Sequence, residues 1–339
     1  SDNTRSYKKP DGKQYNSVRT DLPLGPLSMS AYLKKHAEVE VKLIDFNVEL
    51  SHADGFPYEN FYDYCHDFLS SYDFKPDIIG VSSLFSPSFD NFMDCGRASK
   101  EIWPNSMVLG GGNIPTNDYQ YIYQDLKCDF FDALCYGEGE IPFKELLLSK
   151  DRKKLLNQST SWITSKNMKE KKLIEPKHDF IDDLDEIPFF DYDLCDIVRH
   201  SIDPVTTAFH NVEDQFGFHI MTSRGCPFLC TFCASHKTHG RTMRYHSVDR
   251  VREDLTTLKE IYGAKTVVFQ DDHFMADKDR VYEILELLGE LKLDSLYQNG
   301  LTLYALDKPM LEAFYAAGVR HLVLPVESGS EKVLKEQMR

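Results

Sequence analysis

The sequence predicts an α/β protein in two parts, an open Rossmann-like parallel sheet followed by a partial (β/α) barrel. Three observations predict it. Short apolar runs alternate with amphipathic stretches up to about residue 150, the composition changes between residues 151 and 215, and the alternation resumes from residue 216. At 339 residues the chain is also long for one core, since domains usually hold about 100 to 200 residues.

In the first part, residues 1–150, the apolar runs Val41–Phe46, Asp77–Ser82, Met107–Gly111 and Phe130–Tyr136 read as strands. The amphipathic segments Leu27–His36, Ser88–Ile102 and Tyr119–Leu126 read as helices. A further helix, Ile141–Ser149, is opened by Glu138 and Glu140 near its positive end. Residues 151–215 carry a Lys-rich stretch, Lys166–Lys172, and the turn signal Ile187-Pro188, which together predict a linker with a small hairpin. In residues 216–339 the strands are Gly217–Thr222, Thr266–Gln270, Ser295–Asn299 and His321–Pro325. The helices between them are Val248–Tyr262, Lys278–Leu291 and Lys308–Ala317.

Composition narrows the function. A net charge of -15 argues against a nucleic-acid surface, although Arg241 and Arg244 could form a local basic patch. No run approaches the ~20 apolar residues of a membrane span, so none is predicted. Without a secretory signal, and with eight cysteines, three of them clustered, the expected compartment is the reducing cytoplasm. The other five, Cys65, Cys95, Cys128, Cys135 and Cys195, are expected as buried thiols.

The clustered three are Cys226, Cys230 and Cys233, directly after a predicted strand. Such a loop can wrap three thiolates around one face of an iron-sulfur cluster, leaving a fourth iron open to chelate a substrate or cofactor. A zinc knuckle is the alternative, with His236 or His239 as fourth ligand.

With Phe232 just before the third cysteine, the C-x3-C-x2-C spacing resembles the signature of the radical S-adenosylmethionine (SAM) superfamily. The resemblance implies a 4Fe-4S cluster whose open iron binds SAM and cleaves it reductively, with Phe232 near the adenine. Asp271-Asp272-His-Phe274 is similar to the Asp-Asp-x-Phe element of the cobalamin-type members, which stands where other members contact the SAM amino group. Glu327-Ser328-Gly329-Ser330 resembles the element that approaches the SAM ribose and carboxylate. Asn299 and Gly300, ending the third strand, are weaker candidates for the same pocket, and a simple turn is their alternative.

The glycine-rich turns Leu109-Gly-Gly111-Gly112 and Tyr136-Gly137-Glu138-Gly-Glu140 permit close backbone approach to a ligand. With the segment from Leu22 to Leu33 and Ile79-Gly-Val-Ser82-Ser83, they are similar to the cobalamin (B12)-binding domain that precedes many radical SAM domains. The resemblance places Ser82, Ser83, Gly111, Gly112, Gly137 and Glu138 near cobalamin. The Asp-x-His-x-x-Gly motif that supplies an axial histidine elsewhere is absent from the sequence, so the resemblance implies cobalt held without a protein imidazole.

Both ends depart from the family pattern: a first strand is expected before Ser1, and about two further βα units after Arg339. The expected activity is that of a cobalamin-dependent methyltransferase acting on an unactivated centre. Its substrate, a small molecule or peptide, is not specified, nor is any catalytic residue. An external electron donor such as flavodoxin or ferredoxin is implied. The alternatives are a cobalamin-free radical SAM cyclase or rearrangement enzyme, a methylthiotransferase with a second cluster on Cys65, Cys95 and Cys128, and a non-catalytic metal-binding protein. Tyr245, His246, His273 and Tyr304 are candidates for the barrel mouth, with packing or solvated loop positions as the alternative.

Overall fold

The computed structural model describes residues 6–8, 14–16, 21–53, 56–169, 175–200 and 217–336. Its first sheet runs in the order Ile78–Ser82, Met107–Gly111, Ala133–Cys135, Trp162–Ile163. The first three strands are parallel and the last is antiparallel to its neighbour. Successive side chains point to opposite faces, and both faces are covered. Val108 and Leu134 pack with Phe92, Ile122 and Phe131 on one side, while Leu109, Ala133 and Cys135 pack with Leu146 and Trp162 on the other.

The second sheet has the order Asp294–Tyr297, Thr266–Phe269, Gly217–Ile220, all parallel. Phe218, Ile220, Val267, Phe269 and Tyr297 face the helices, against Leu255, Ile284, Leu288, Met310 and Phe314. Side chains place the helix starts: Ser247, Asp277 and Asp307 accept from the backbone N–H of Arg250, Arg280 and Met310. These caps open the helices Val248–Glu260, Lys278–Leu291 and Lys308–Ala316. Tyr192 ties the preceding segment to the barrel by donating to the His219 carbonyl at 2.5 Å.

Four expectations change. Val41–Phe46 is not a strand: Asp45 accepts from the Asn47 N–H (2.9 Å) and starts a helix, Phe46–His52, where the strand was to end. Leu43 and Ile44 pack as side chains against two different cores, without a ladder partner among the described residues. Phe130–Tyr136 is paired only over Ala133–Cys135.

His321–Pro325 also joins no sheet among the described residues. Pro325 has no N–H to donate, and the segment is held by the Leu301 N–H donating to the Val323 carbonyl at 2.9 Å. Between 151 and 215 the described residues form no hairpin of their own. Trp162–Ile163 instead extends the first sheet, and helix Arg152–Gln158 packs on that sheet through Leu156. Residues 170–174 and 201–215 of that expected linker lie outside the described residues.

Candidate active site at the domain boundary

Past Ile220 the chain leaves the barrel sheet, and Ser223–Arg224 pairs antiparallel with Arg244–Tyr245. The loop between these two short strands carries Cys226, Cys230 and Cys233, all free and partly exposed. Gly225 starts it at φ 96°, where a Cβ would fall 2.3 Å from the Thr242 carbonyl oxygen, so only glycine fits. The Cys226 N–H donates to the Gly240 carbonyl and the Cys233 N–H to that of Cys230, both at 3.2 Å.

Burial pushes the Cys226 thiol up from its ordinary value, and the nearby Asp272, Cys233 and Cys230 add to the effect. Among the described residues no three His, Cys, Asp or Glu side chains converge as the ligands of one ion do. His239, one offered zinc ligand, turns its Nδ1 to Glu138 at 2.8 Å.

The adjacent aspartates after the second barrel strand do different things. Asp271 is buried and accepts from the Thr222 hydroxyl (2.7 Å), the Ser223 hydroxyl (2.6 Å) and the Thr222 N–H (3.2 Å). Through these bonds it anchors the start of the cysteine loop. Asp272 Oδ2 is buried with no hydrogen-bond partner. An orphaned carboxylate oxygen beside Cys226 fits a cationic amino group.

Asn299 donates its amide to the carbonyls of Gln270 (2.9 Å) and Asp271 (3.3 Å), so it braces the same strand end. Phe232 is 56% exposed. Glu327 is exposed and held at φ 60°, a left-handed conformation rare for a residue other than Gly and one that concentrates at functional sites. Ser328 accepts from the Ser330 N–H at 3.1 Å. His273 lies under Phe228 of the cysteine loop (ring centroids 5.0 Å apart) and is within 3.4 Å of both Thr302 Oγ1 and the Tyr304 hydroxyl.

In the first domain Ser82 stands level with Gly111 at the carboxyl ends of neighbouring parallel strands. A Cβ on Gly111 would meet nothing within 4 Å. Gly112, at φ 92°, lets the Ser83 carbonyl approach to where a Cβ would lie only 2.5 Å from it. Beside this edge Leu84 and Phe85 are 57% and 66% exposed. An open glycine edge with an apolar rim fits a flat macrocycle laid across the strand ends.

Gly137 and Glu138 follow the third parallel strand and meet side chains of later segments. The space above Gly137 is filled by the His178 ring. Glu138 is buried: Arg244 Nη2 donates to its Oε1 at 2.6 Å and Arg244 Nη1 to its Oε2 at 3.0 Å. Arg224 Nη1 lies 3.1 Å from Oε2. Against the cost of burial, Arg224, His239 and Arg244 hold the Glu138 carboxyl well below the usual range. Arg224 also donates to Glu140 at 2.8 Å, which accepts from the Ser28 hydroxyl at 3.0 Å. Glu138 is thus paired with three side chains of the barrel segment around the cysteines, Arg224, His239 and Arg244. Sequence reading missed Arg224, and it offered Arg244 and His239 only as part of a basic patch and as a zinc ligand. The one available signal was two acids at Glu138 and Glu140 in one chain segment and bases flanking the cysteines in another.

His246, a candidate for the barrel mouth, is buried with its Nδ1 3.0 Å from Asp185. Burial and Arg250 push it down to about 4. It therefore stays neutral when folded, while the unfolded chain takes up a proton near pH 6.5. Its contribution to stability is full above about pH 6.5 and is lost as pH falls through about 4, by up to about 3 kcal/mol. Urea unfolding at pH 7 and about pH 4.5 should show that loss, and His246→Gln should flatten it; an unchanged slope in the variant would count against the assignment.

Cys65 and Cys95 face each other at 3.8 Å on two packed helices, but Cys128 packs in a different core, with Ile122, Tyr123 and Phe131. They do not form the three-thiol set that a second cluster requires.

The family model for the Radical SAM superfamily matches residues 220–339, and that for the B12 binding domain matches residues 18–147. An uncharacterized methyltransferase of Pyrococcus horikoshii is 31% identical over 77% of this chain and 54% of its own length. The cytidylyl-2-hydroxyethylphosphonate methyltransferase of Streptomyces wedmorensis is 25% identical over 96% of this chain and 65% of its own. The chain thus spans between half and two thirds of the length of these relatives. Among solved structures, the cobalamin-dependent SAM radical enzyme OxsB with aqua-cobalamin bound superposes at a TM-score of 0.63, with 21% identity, over 94% of this chain and 43% of that one. The radical SAM methyltransferase TsrM from Kitasatospora setae, with tryptophan and a SAM analogue bound, gives 0.63 at 13% identity over 90% of this chain and 56% of that one. These likenesses establish the shared fold.

Proposed function

Because the chain belongs to the radical SAM superfamily and carries a B12-binding domain ahead of its radical SAM domain, we propose that it is part of a cobalamin-dependent methyltransferase that methylates an unactivated centre. The observation that carries the reading is the Asp272 carboxylate oxygen, buried without a partner beside Cys226 in the three-cysteine loop. When bound, the 4Fe-4S cluster supplies the electron that cleaves SAM, and cobalamin supplies a carrier for the methyl group.

The chain's own residues have separable tasks in this reading. Cys226, Cys230 and Cys233 hold the cluster, and Asp272 receives the amino group of SAM. Phe232 lies against the adenine, and Glu327 and Ser328 approach the ribose. Ser82, Ser83, Gly111 and Gly112 form the bed for cobalamin. Among the described residues no helix is long and apolar enough to cross a membrane. Eight free thiols suit a reducing compartment, and the reading places the protein in the cytoplasm with an external donor such as flavodoxin or ferredoxin.

The test is anaerobic reconstitution with iron, sulfide and hydroxocobalamin, followed by dithionite and SAM. About four irons per chain, the visible bands of bound cobalamin and formation of 5′-deoxyadenosine are expected. A protein with an intact cluster that leaves SAM uncleaved would sink the reading.

A further inference from the structure

We infer that Glu138, seconded by Glu140, is a positioning residue that fastens the cysteine loop to the strand ends of the B12-binding domain and so fixes the two cofactor sites relative to each other. The inference rests on the reading of Cys226, Cys230 and Cys233 as cluster ligands. Glu138 follows Gly137 just past the third parallel strand, Ala133–Cys135. Its partners bracket the thiols: Arg224 lies two residues before Cys226, His239 six after Cys233, and Arg244 sits in the strand that closes the loop.

The burial of this group explains why it acts as a latch. A carboxylate removed from water is tolerated only where charged donors meet it in good geometry, and loss of one partner strands the others. Here both carboxylate oxygens are met, Oε1 by Arg244 and His239, Oε2 by Arg244 and Arg224. Arg244 is fixed in turn by donating to the Ile181 carbonyl (2.8 Å) and the His239 carbonyl (3.1 Å). Two smaller stitches join the same turn to the first domain and to the segment after it. The Thr238 hydroxyl donates to Asn113, and His178 Nε2 meets the Lys237 carbonyl at 2.7 Å. The loop therefore has its cysteines on one side and a buried, charge-balanced anchor on the other.

Charge balance gives the latch a signature that simple stabilisation lacks. The carboxylates of Glu138 and Glu140 face the guanidiniums of Arg224 and Arg244, with the His239 ring beside Glu138. Glu138→Gln leaves a surplus positive charge near the thiols and favours the reduced cluster, whereas Arg244→Gln leaves a surplus negative charge and disfavours it.

The test uses the reconstituted protein with both cofactors. Amide exchange over residues 224–245 is followed by mass spectrometry, and the cluster midpoint potential by EPR titration. For Glu138→Gln, exchange in that loop should quicken roughly a hundredfold, as expected for a broken buried pair, with cobalamin bands retained and the potential raised. Arg244→Gln should quicken exchange similarly and lower the potential. The double variant, with neither charge present, should lie nearer wild type than the two single effects combined, and it serves as the readout where a single variant does not fold.

Wild-type exchange in both single variants, potentials that move in the same direction, or loss of cobalamin from Glu138→Gln with the loop still protected would each overturn the inference. The last outcome would return Glu138 to a cofactor contact. Absence of iron from the wild-type protein would instead defeat the cluster reading, while the exchange measurement would still judge the latch.

Discussion

Replacing Cys230 with alanine should abolish the cluster and lower 5′-deoxyadenosine formation by three orders of magnitude or more, on the order of 4 kcal/mol in barrier. The loop offers three thiols, and its backbone is fixed by Gly225, by the Cys226–Gly240 hydrogen bond and by the Ser223–Arg224 pairing with Arg244–Tyr245. No other cysteine can move in to replace the lost ligand. Cys195, for example, is buried in the barrel core with Tyr192 and Phe218, where its thiol is pushed up to about 12 by burial and by Asp45 and Asp191. Cys195→Ala should therefore keep its iron and its turnover and lose only packing energy. Iron content, EPR of the reduced protein and product formation measure cluster and turnover in both variants. Retention of iron and turnover in Cys230→Ala would remove the basis of the cluster assignment.

Asp271→Ala and Asp272→Ala, although adjacent, should fail in opposite ways. Asp271 accepts from Thr222 through both its N–H and its hydroxyl and from the Ser223 hydroxyl, so its removal leaves buried donors unsatisfied just before the cysteine loop. Each such donor costs about 1–3 kcal/mol, and the protein should lose on the order of 2–4 kcal/mol in urea unfolding. Asp272 Oδ2 has no partner to lose. Its removal should leave stability unchanged or slightly raised, while SAM affinity falls roughly ten- to a hundredfold, the weight of a charge-assisted hydrogen bond. Equilibrium binding of SAM to the reconstituted variants separates the two. If Asp271→Ala were stable and SAM-deficient and Asp272→Ala the reverse, the division of roles would have to be exchanged.

That division could not be read from the sequence, where Asp271-Asp272 is a single motif. Which carboxylate turns inward depends on where Thr222 and Ser223 lie, 49 and 48 residues earlier in the chain. The same holds for Glu138. Its neighbours Gly137 and Gly139 suggest a ligand-binding turn, while its partner Arg244 lies 106 residues away in the chain.

Local chemistry was legible from the residues themselves. The alternation of apolar and amphipathic stretches placed Lys278–Leu291 at its observed bounds and Val248–Glu260 within two residues. The cysteine spacing identified the loop, and the alternation of strand and helix patterns identified two α/β parts, because each is written in contiguous residues. Val41–Phe46 shows the limit of such reading. It has the apolar content of a strand, but a strand exists only with a ladder partner, and the Asp45 cap draws its end into a helix. By itself the sequence determined the kinds of element, the three thiols and the family they resemble. Only the tertiary structure decided which acids are buried with partners and which carboxylate oxygen is left without one, because a buried carboxylate takes its role from partners that folding brings to it.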